Sequence, residues 1–238
     1  MACPRLRLGV VIPTLDEECL LPRLLDRLLA VADREDRADA VCVVDGGSGD
    51  RTRELARRGG AAVVRSRPGR GVQLARGARA VSADVLLFLH ADTLPAAGAI
   101  AALRRRFEEG CQVAGMRQRI EAAGWFYRVV EWAANARVRF LGSVYGDSGL
   151  CVSRARYVAA GGFRDLSLFE DLDLSRRLGR TGAPEYIRDA ELRVSARRWQ
   201  REGPLRRTLA NWLLTSAFLL GMSPDRLVRY YRPERRSS

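Results

Sequence analysis

Apolar and polar positions fall in alternating blocks along the first hundred residues, and the blocks predict a strand–helix repeat. Residues 8–13 (LGVVIP) form a short continuous apolar run stopped by proline, which reads as a buried strand. Behind it Leu20, Leu21, Leu24, Leu25, Leu28 and Leu29 recur at helical spacing. Asp16, Glu17 and Glu18 precede that stripe, where the dipole of a helix start favours acids. Residues 40–44 (AVCVV) predict a second strand, which runs into the turn cluster DGGSGDRT. A helix over RTRELARRGG, a short strand at 62–65, a glycine-punctuated loop entering a helix (RPGRGVQLARGARAVSA) and a fourth strand at 85–89 continue the order. Continuous apolar strands separated by helices imply an α/β fold with a Rossmann-like, mostly parallel sheet flanked by helices.

The second half is less regular. WFYRVVEWAANARVRF predicts an amphipathic helix with aromatics, and GSVYGDSGLCVSR a glycine-rich turn into a strand. GGFRDLSLFEDLDLSRRLGRTG reads as a loop followed by a helix. NWLLTSAFLLG is an apolar helix flanked by arginines. Two placements suit it: buried against the sheet, or lying at a membrane interface. The final RPERRSS reads as a tail.

Composition narrows the chemistry. A length of 238 residues at 47% hydrophobic content suits one large globular domain, alone or with a small appendage. No window approaches the roughly 20 apolar residues of a membrane span, and the run behind residues 1–7 is too short for a signal peptide. The expected location is cytoplasmic, with peripheral contact at the inner membrane face as the variant to test. Cys3, Cys19, Cys42, Cys111 and Cys151 are scattered, so neither a zinc site nor a disulfide framework is expected. All 41 basic residues are arginine, which excludes Schiff-base and P-loop lysine chemistry. One histidine excludes a multi-histidine metal site. The net charge of +13 suits nucleic acid, an anionic membrane or a phosphate-bearing substrate.

In parallel α/β sheets ligands bind at the carboxyl ends of strands. Three such ends carry acids here: Asp16, Asp45 and Asp92. In LLFLHADT, His90 and Asp92 sit on alternate positions after the fourth strand. Asp92 could hold a divalent cation that bridges a diphosphate, or cap a turn. Asp45, followed by Gly46, could accept hydrogen bonds from a base or ribose, or form an Asx-turn. Glu170 and Asp171 open a helix in an apolar setting, as caps or with one acting as general base. Arg70, Arg76, Arg197 and Arg198 lie near loops, where guanidinium forks suit phosphate.

The order VVIPTLDEE, VVDGGSGDRT, GRGVQLARGA, LLFLHADT, YGDSGLCVSR and LFEDLDLSRRL resembles the family-2 glycosyltransferases of the GT-A fold. More narrowly it is similar to a short bacterial subgroup associated with arsenosugar biosynthesis and with radical-SAM/selenodomain proteins. SARRW and NWLL…LGMSPDRLVRYYR fit that subgroup too, so the resemblance covers nearly the whole chain. It implies a nucleotide-diphosphate sugar donor, held by Pro13, Thr14, Asp16, Glu17, Asp45, Gly46, Arg70, His90, Ala91 and Asp92. Asp92 matches the last acid of the metal-binding D-x-D motif, which implies Mn2+ or Mg2+. The first acid of that motif is His90 here, the HAD form of the subgroup. The cation would then be held mainly by Asp92 and the diphosphate, with His90 as a further ligand or a partner of a phosphate oxygen. Asp171 matches the catalytic base, with Glu170 beside it. Gly146 and Asp147 border the acceptor, a small molecule or a lipid, and Arg198 and Trp199 resemble a shortened Q-x-x-R-W motif. Transfer would proceed by one displacement with inversion. The implied organisation is a GT-A domain over 1–202, with a nucleotide-binding half at about 1–110 and an acceptor half at about 111–202. A helical extension over 203–238 would pack on the domain or on a membrane surface. Two competing readings are a non-catalytic basic protein that binds nucleic acid or anionic membrane, and a nucleotidyltransferase. Dispersed arginines without a nucleic-acid motif argue against nucleic acid. The IPTLDEE strand end, without a glycine-rich basic loop, argues against nucleotidyl transfer.

Overall fold

The computed structural model describes residues 5–231; Cys3 and the RPERRSS tail lie outside the described residues. β1 (Leu8–Thr14) is buried at all seven positions. Its side chains alternate between two cores, with Val10 and Ile12 on one face of the sheet and Val11 on the other. The leucine stripe forms α1 (Leu21–Leu29) and packs Leu21, Leu24, Leu25 and Leu28 into the first core. No acid stands in its first turn. Asp16, Glu17 and Glu18 lie one turn upstream, contrary to the dipole expectation, because their backbone is tied to the neighbouring strand-end turn.

The alternation continues with β2 (Ala40–Asp45), α2 (Thr52–Arg58), β3 (Ala62–Arg65), α3 (Arg70–Ala80) and β4 (Val85–Phe88). A short β5 (Thr93–Pro95) then leads to α4 (Ala99–Glu108), β6 (Val113–Glu121) and α5 (Trp125–Leu141). β7 (Cys151–Ser153), α6 (Arg154–Ala159), α7 (Glu170–Gly179) and β8 (Glu185–Ser195) follow. Last come α8 (Arg197–Glu202), α9 (Pro204–Leu219) and α10 (Pro224–Leu227).

The eight strands make one sheet in the order β3-β2-β1-β4-β7-β6-β8-β5. β1 pairs parallel with β2 on one side and β4 on the other, and β6 pairs parallel with β8. β7 runs antiparallel to both β4 and β6. The chain leaves β1 for β2 and later returns to its other edge through β4. The carboxyl end of β1 is therefore a topological switch point, the place where α/β sheets form a ligand-binding crevice. The sheet is continuous across the two predicted halves, since β5 pairs with β8.

The C-terminal helix departs from the buried alternative. α9 buries only Arg207 and Thr208. No helix among the described residues is long and apolar enough to cross a membrane.

Candidate active site

The strand ends at the switch point are laced together by backbone. The Gly46 N–H donates to the Thr14 carbonyl at 2.9 Å, and the Gln73 amide donates to the Thr14 and Val44 carbonyls at 2.9 and 2.8 Å. Gln73 is a buried residue of α3 that the sequence did not single out. Pro13 pairs with Val44 in the strand register, so its side of the crevice is fixed. Asp16 adopts a positive φ of 50°. Its N–H donates to Ser48 Oγ at 2.8 Å and its carboxylate accepts from the Gly49 N–H, while the Glu17 N–H donates to Thr52 Oγ1 at 2.7 Å. The β1 and β2 end turns thus form one rigid rim.

Asp45 is 1% exposed and accepts the Gly47 and Ser48 N–H groups at 3.2 Å, which closes an Asx-turn at the end of β2. The Ala91 methyl packs in the core rather than facing the crevice. Arg76 stands exposed on the solvent side of α3.

Past β4, the turn over 90–93 is closed by Thr93, whose Oγ1 donates to the His90 carbonyl at 2.8 Å. Arg197 lies 3.1 Å from Glu17 and 3.6 Å from Asp92, which places α8 over both strand ends.

The acidic pair arrives from the far half of the chain. Phe169, at φ 64°, turns the chain into α7 and presents Glu170 and Asp171 in its first turn. Glu170 is 1% exposed, with Oε1 3.0 Å from Arg70 Nε. That pairing needs α3 and α7 to approach closely at Gly71. A Cβ there would overlap the Arg164 carbonyl oxygen and stand 3.3 Å from Glu170 Cβ. Asp171 is half-buried and fixed by two backbone donors, Gly146 N–H to Oδ2 and Leu172 N–H to Oδ1, both at 2.7 Å. Gly146 is the hinge of the arrangement. A Cβ on it would overlap His90 Nε2 and lie 3.2 Å from Asp171 Oδ2, so His90, Gly146 and Asp171 meet at one point. Behind them a cavity of about 10 Å³ is too small for a sugar, so a substrate must sit on the open side.

Electrostatics sorts these groups. Burial, and then Arg70, push the His90 pKa below its ordinary value against the opposing pull of Asp92, Asp171 and Asp147. That direction favours the neutral form of the ring. Burial raises the Glu170 pKa, with Arg70 opposing and Asp171 adding to the rise. Glu170 in turn raises the Arg70 guanidinium, with Tyr231, Asp171 and Asp92 contributing.

In the turn after α5, Asp147 is held by Arg137 at 3.3 Å. Trp199 Nε1 donates to Thr208 Oγ1 at 3.1 Å, so the indole anchors α8 to α9. Arg198 donates to the Tyr231 hydroxyl at 2.8 Å, and Arg207 donates to the same oxygen at 3.1 Å. Burial raises the Tyr231 phenol, but Arg70, Arg198 and Arg207 outweigh it and lower the pKa. Neither Tyr231 nor Arg207 was singled out by sequence. The signals were RLVRYYR, which places tyrosines among arginines, and LRRT at 205–208, which holds Arg207.

Among the described residues no cluster of three or more His, Cys, Asp or Glu forms a metal cage. The donor set fits a divalent cation in a sparser way. Asp92 keeps a partly exposed carboxylate and His90 a neutral ring two residues away, and such cations take few protein ligands when phosphates supply the rest.

Comparison with known proteins decides the lineage. The chain matches glycosyl transferase family 2 over residues 9–161, well over half its length. It belongs to that family. An undecaprenyl-phosphate 4-deoxy-4-formamido-L-arabinose transferase of Proteus mirabilis (strain HI4320) is 27% identical over 158 residues, 63% of this chain and 48% of that protein. A protein of the same name from Aeromonas hydrophila subsp. hydrophila is 27% identical over 155 residues, 62% of this chain and 48% of that one. The family-2 chain thus spans about half the length of the relatives it matches. S. aureus TarS shares the fold with a TM-score of 0.65 at 15% identity, over 79% of this chain and 36% of that one. Glucosyl-3-phosphoglycerate synthase from Mycobacterium tuberculosis, solved with Mg2+ and UDP, gives 0.54 at 22% identity, over 80% and 70%. The fold is the GT-A arrangement that the motifs implied.

Proposed function

We propose that this family-2 chain is an inverting glycosyltransferase that moves a sugar from a nucleotide-diphosphate donor to an acceptor hydroxyl. The observation that carries the reading is Asp171. It is a half-buried carboxylate locked by the Gly146 and Leu172 N–H groups and set beside His90 at the switch-point crevice. Thr14, Asp16, Glu17, Asp45 and Gly46 shape the rim for the nucleoside, and Pro13 and Ala91 support it from beneath. Arg70, Arg197 and Arg198 lie where a diphosphate would be neutralised. Gly146, Asp147, Arg198 and Trp199 border the acceptor.

Asp92, aided by His90, would hold Mn2+ or Mg2+, which when bound neutralises charge on the departing diphosphate. Asp171 takes the acceptor hydroxyl proton as that oxygen bonds to the anomeric carbon. The bond from that carbon to the diphosphate breaks on the opposite face, and the nucleoside diphosphate leaves with both electrons. No enzyme-bound sugar is formed.

Fold neighbours support testing uridine first. TarS was solved with UDP-GlcNAc, and the synthase with Mn2+, UDP and phosphoglyceric acid. The test is release of nucleoside diphosphate from UDP-, GDP- and dTDP-hexoses over a panel of hydroxyl acceptors, with the product anomer read by NMR. One nucleotide is expected to dominate, and the product is expected to have inverted configuration. A product with retained configuration would contradict the mechanism.

A further inference from the structure

Two helices of this protein turn apolar stripes outward. On α5 the stripe is Trp125, Val129, Trp132 and Phe140, one helical face, and its three aromatic residues are 71–77% exposed. On α9 it runs from Leu205 and Leu209 through Trp212 and Leu213 to Leu219, continuing to Leu220, which is 89% exposed. A helix of a soluble domain turns such a face inward. Here α5 buries Glu131, Ala134 and Val138 on the opposite side, and α9 buries only Arg207 and Thr208.

The two helices are neighbours through α8. Tyr127 of α5 meets Trp199 edge-on with ring centroids 6.5 Å apart, and Trp199 is bonded to Thr208 of α9. α9 also stacks Phe218 on Phe169, the residue before the acidic pair. The apolar stripes therefore flank the acceptor side of the crevice.

Beside α9 lies a second feature that the transfer reading does not use. A cavity of about 320 Å³ opens between the end of α8, α9 and the tyrosines at 230–231. Arg201, Arg206 and Arg207 rim it, and Ala210 and Leu214 line its apolar side. Glu202, its one acid, is paired with Arg207 at 3.2 Å. Guanidinium groups over an apolar wall suit a phosphate ester that carries a hydrocarbon chain.

We propose that α5 and α9 seat the protein on an anionic bilayer, with the exposed tryptophans and leucines in the interface and the arginine-rimmed cavity around a lipid headgroup phosphate. Charge selects this occupant. A second copy would bring a second basic face, in a chain of net charge +13, whereas an anionic leaflet complements it. Tryptophan and arginine-flanked apolar helices are what such interfaces accommodate. The proposal does not depend on the transfer reaction.

The test is flotation of the full chain with phosphatidylcholine vesicles, with and without phosphatidylglycerol. Wild type is expected to float with the anionic vesicles on the order of tenfold more than with neutral ones. The triple variant Trp132→Ser/Trp212→Ser/Leu213→Ser is expected to lose about tenfold or more of that partitioning. Arg201→Ala/Arg206→Ala is expected to lose the preference for anionic vesicles. All of these side chains are exposed, so unchanged melting temperatures and nucleotide binding should accompany the losses. Wild type that stays unbound on anionic vesicles, or a triple variant that floats as well as wild type, overturns the proposal. So does a concentration-dependent dimer that the triple variant dissociates while vesicles go unbound. Inorganic phosphate that stabilises wild type but not the arginine variant, without flotation, would make the cavity a site for a soluble anion and likewise overturn the bilayer seat.

Discussion

Asp171→Asn is expected to lower the transfer rate by about 10³-fold while nucleotide affinity stays within a few-fold. The amide keeps the size of the side chain, and its one oxygen can still accept one of the two N–H groups that the carboxylate holds on separate oxygens, Gly146 on Oδ2 or Leu172 on Oδ1. It cannot take a proton from an incoming hydroxyl. The proposed nucleoside site lies on the rim formed by the β1 and β2 end turns, away from Asp171, so nucleotide binding should survive. The same variant also reports on the acceptor. A hydroxyl acceptor must lose a proton, whereas a phosphate acceptor already presents an anionic oxygen. Near wild-type transfer by Asp171→Asn, measured as initial rate at saturating donor, would remove the base from the mechanism.

Gly146→Ala is the second large effect expected, and it acts by geometry alone. The added methyl would overlap His90 Nε2 and crowd Asp171 Oδ2, so one or both side chains must move. Displacement of a reacting group by about 1 Å costs on the order of 10²-fold in rate. Gly146 stands in a short turn over residues 146–148, outside the strands and longer helices, so the sheet should remain intact. The expected result is a fall in kcat of about 10²-fold, with a circular-dichroism spectrum and melting temperature close to wild type. Activity within twofold of wild type would show that His90 and Asp171 need not meet at this turn.

β1, β2 and β4 were legible because each is a continuous apolar run, the mark of a strand buried on both faces; β3, at the sheet edge and only half-buried, was legible from its Val-Val pair between turn residues. β6 and β8 were not. Arg117, Arg119, Arg193 and Glu191 alternate along them with buried residues, and across the pair Arg117 holds Glu191 at 2.6 Å. Charges that neutralise one another across a ladder look like loop in a single sequence. The acids at strand ends were legible as positions, but not as contacts. Whether Asp45 turns the chain or meets a ligand depends on the Gly47 and Ser48 N–H groups, which composition does not place. The meeting of Asp171 with Gly146 joins residues 25 apart, and that of Arg198 with Tyr231 joins residues 33 apart. Both require the tertiary fold. The outward stripe of α9 has the same periodicity as an inward one, so pattern alone left its side open.

The central claim is that the switch-point crevice binds a nucleoside diphosphate through a cation on Asp92. Thermal stability with UDP, GDP and dTDP, each with and without Mn2+, on wild type and Asp92→Ala tests it most directly. A Mn2+-dependent rise in melting temperature for one nucleotide in wild type, lost in Asp92→Ala, is the expected result. No rise with any nucleotide at millimolar concentration, or an equal rise in Asp92→Ala, would contradict it.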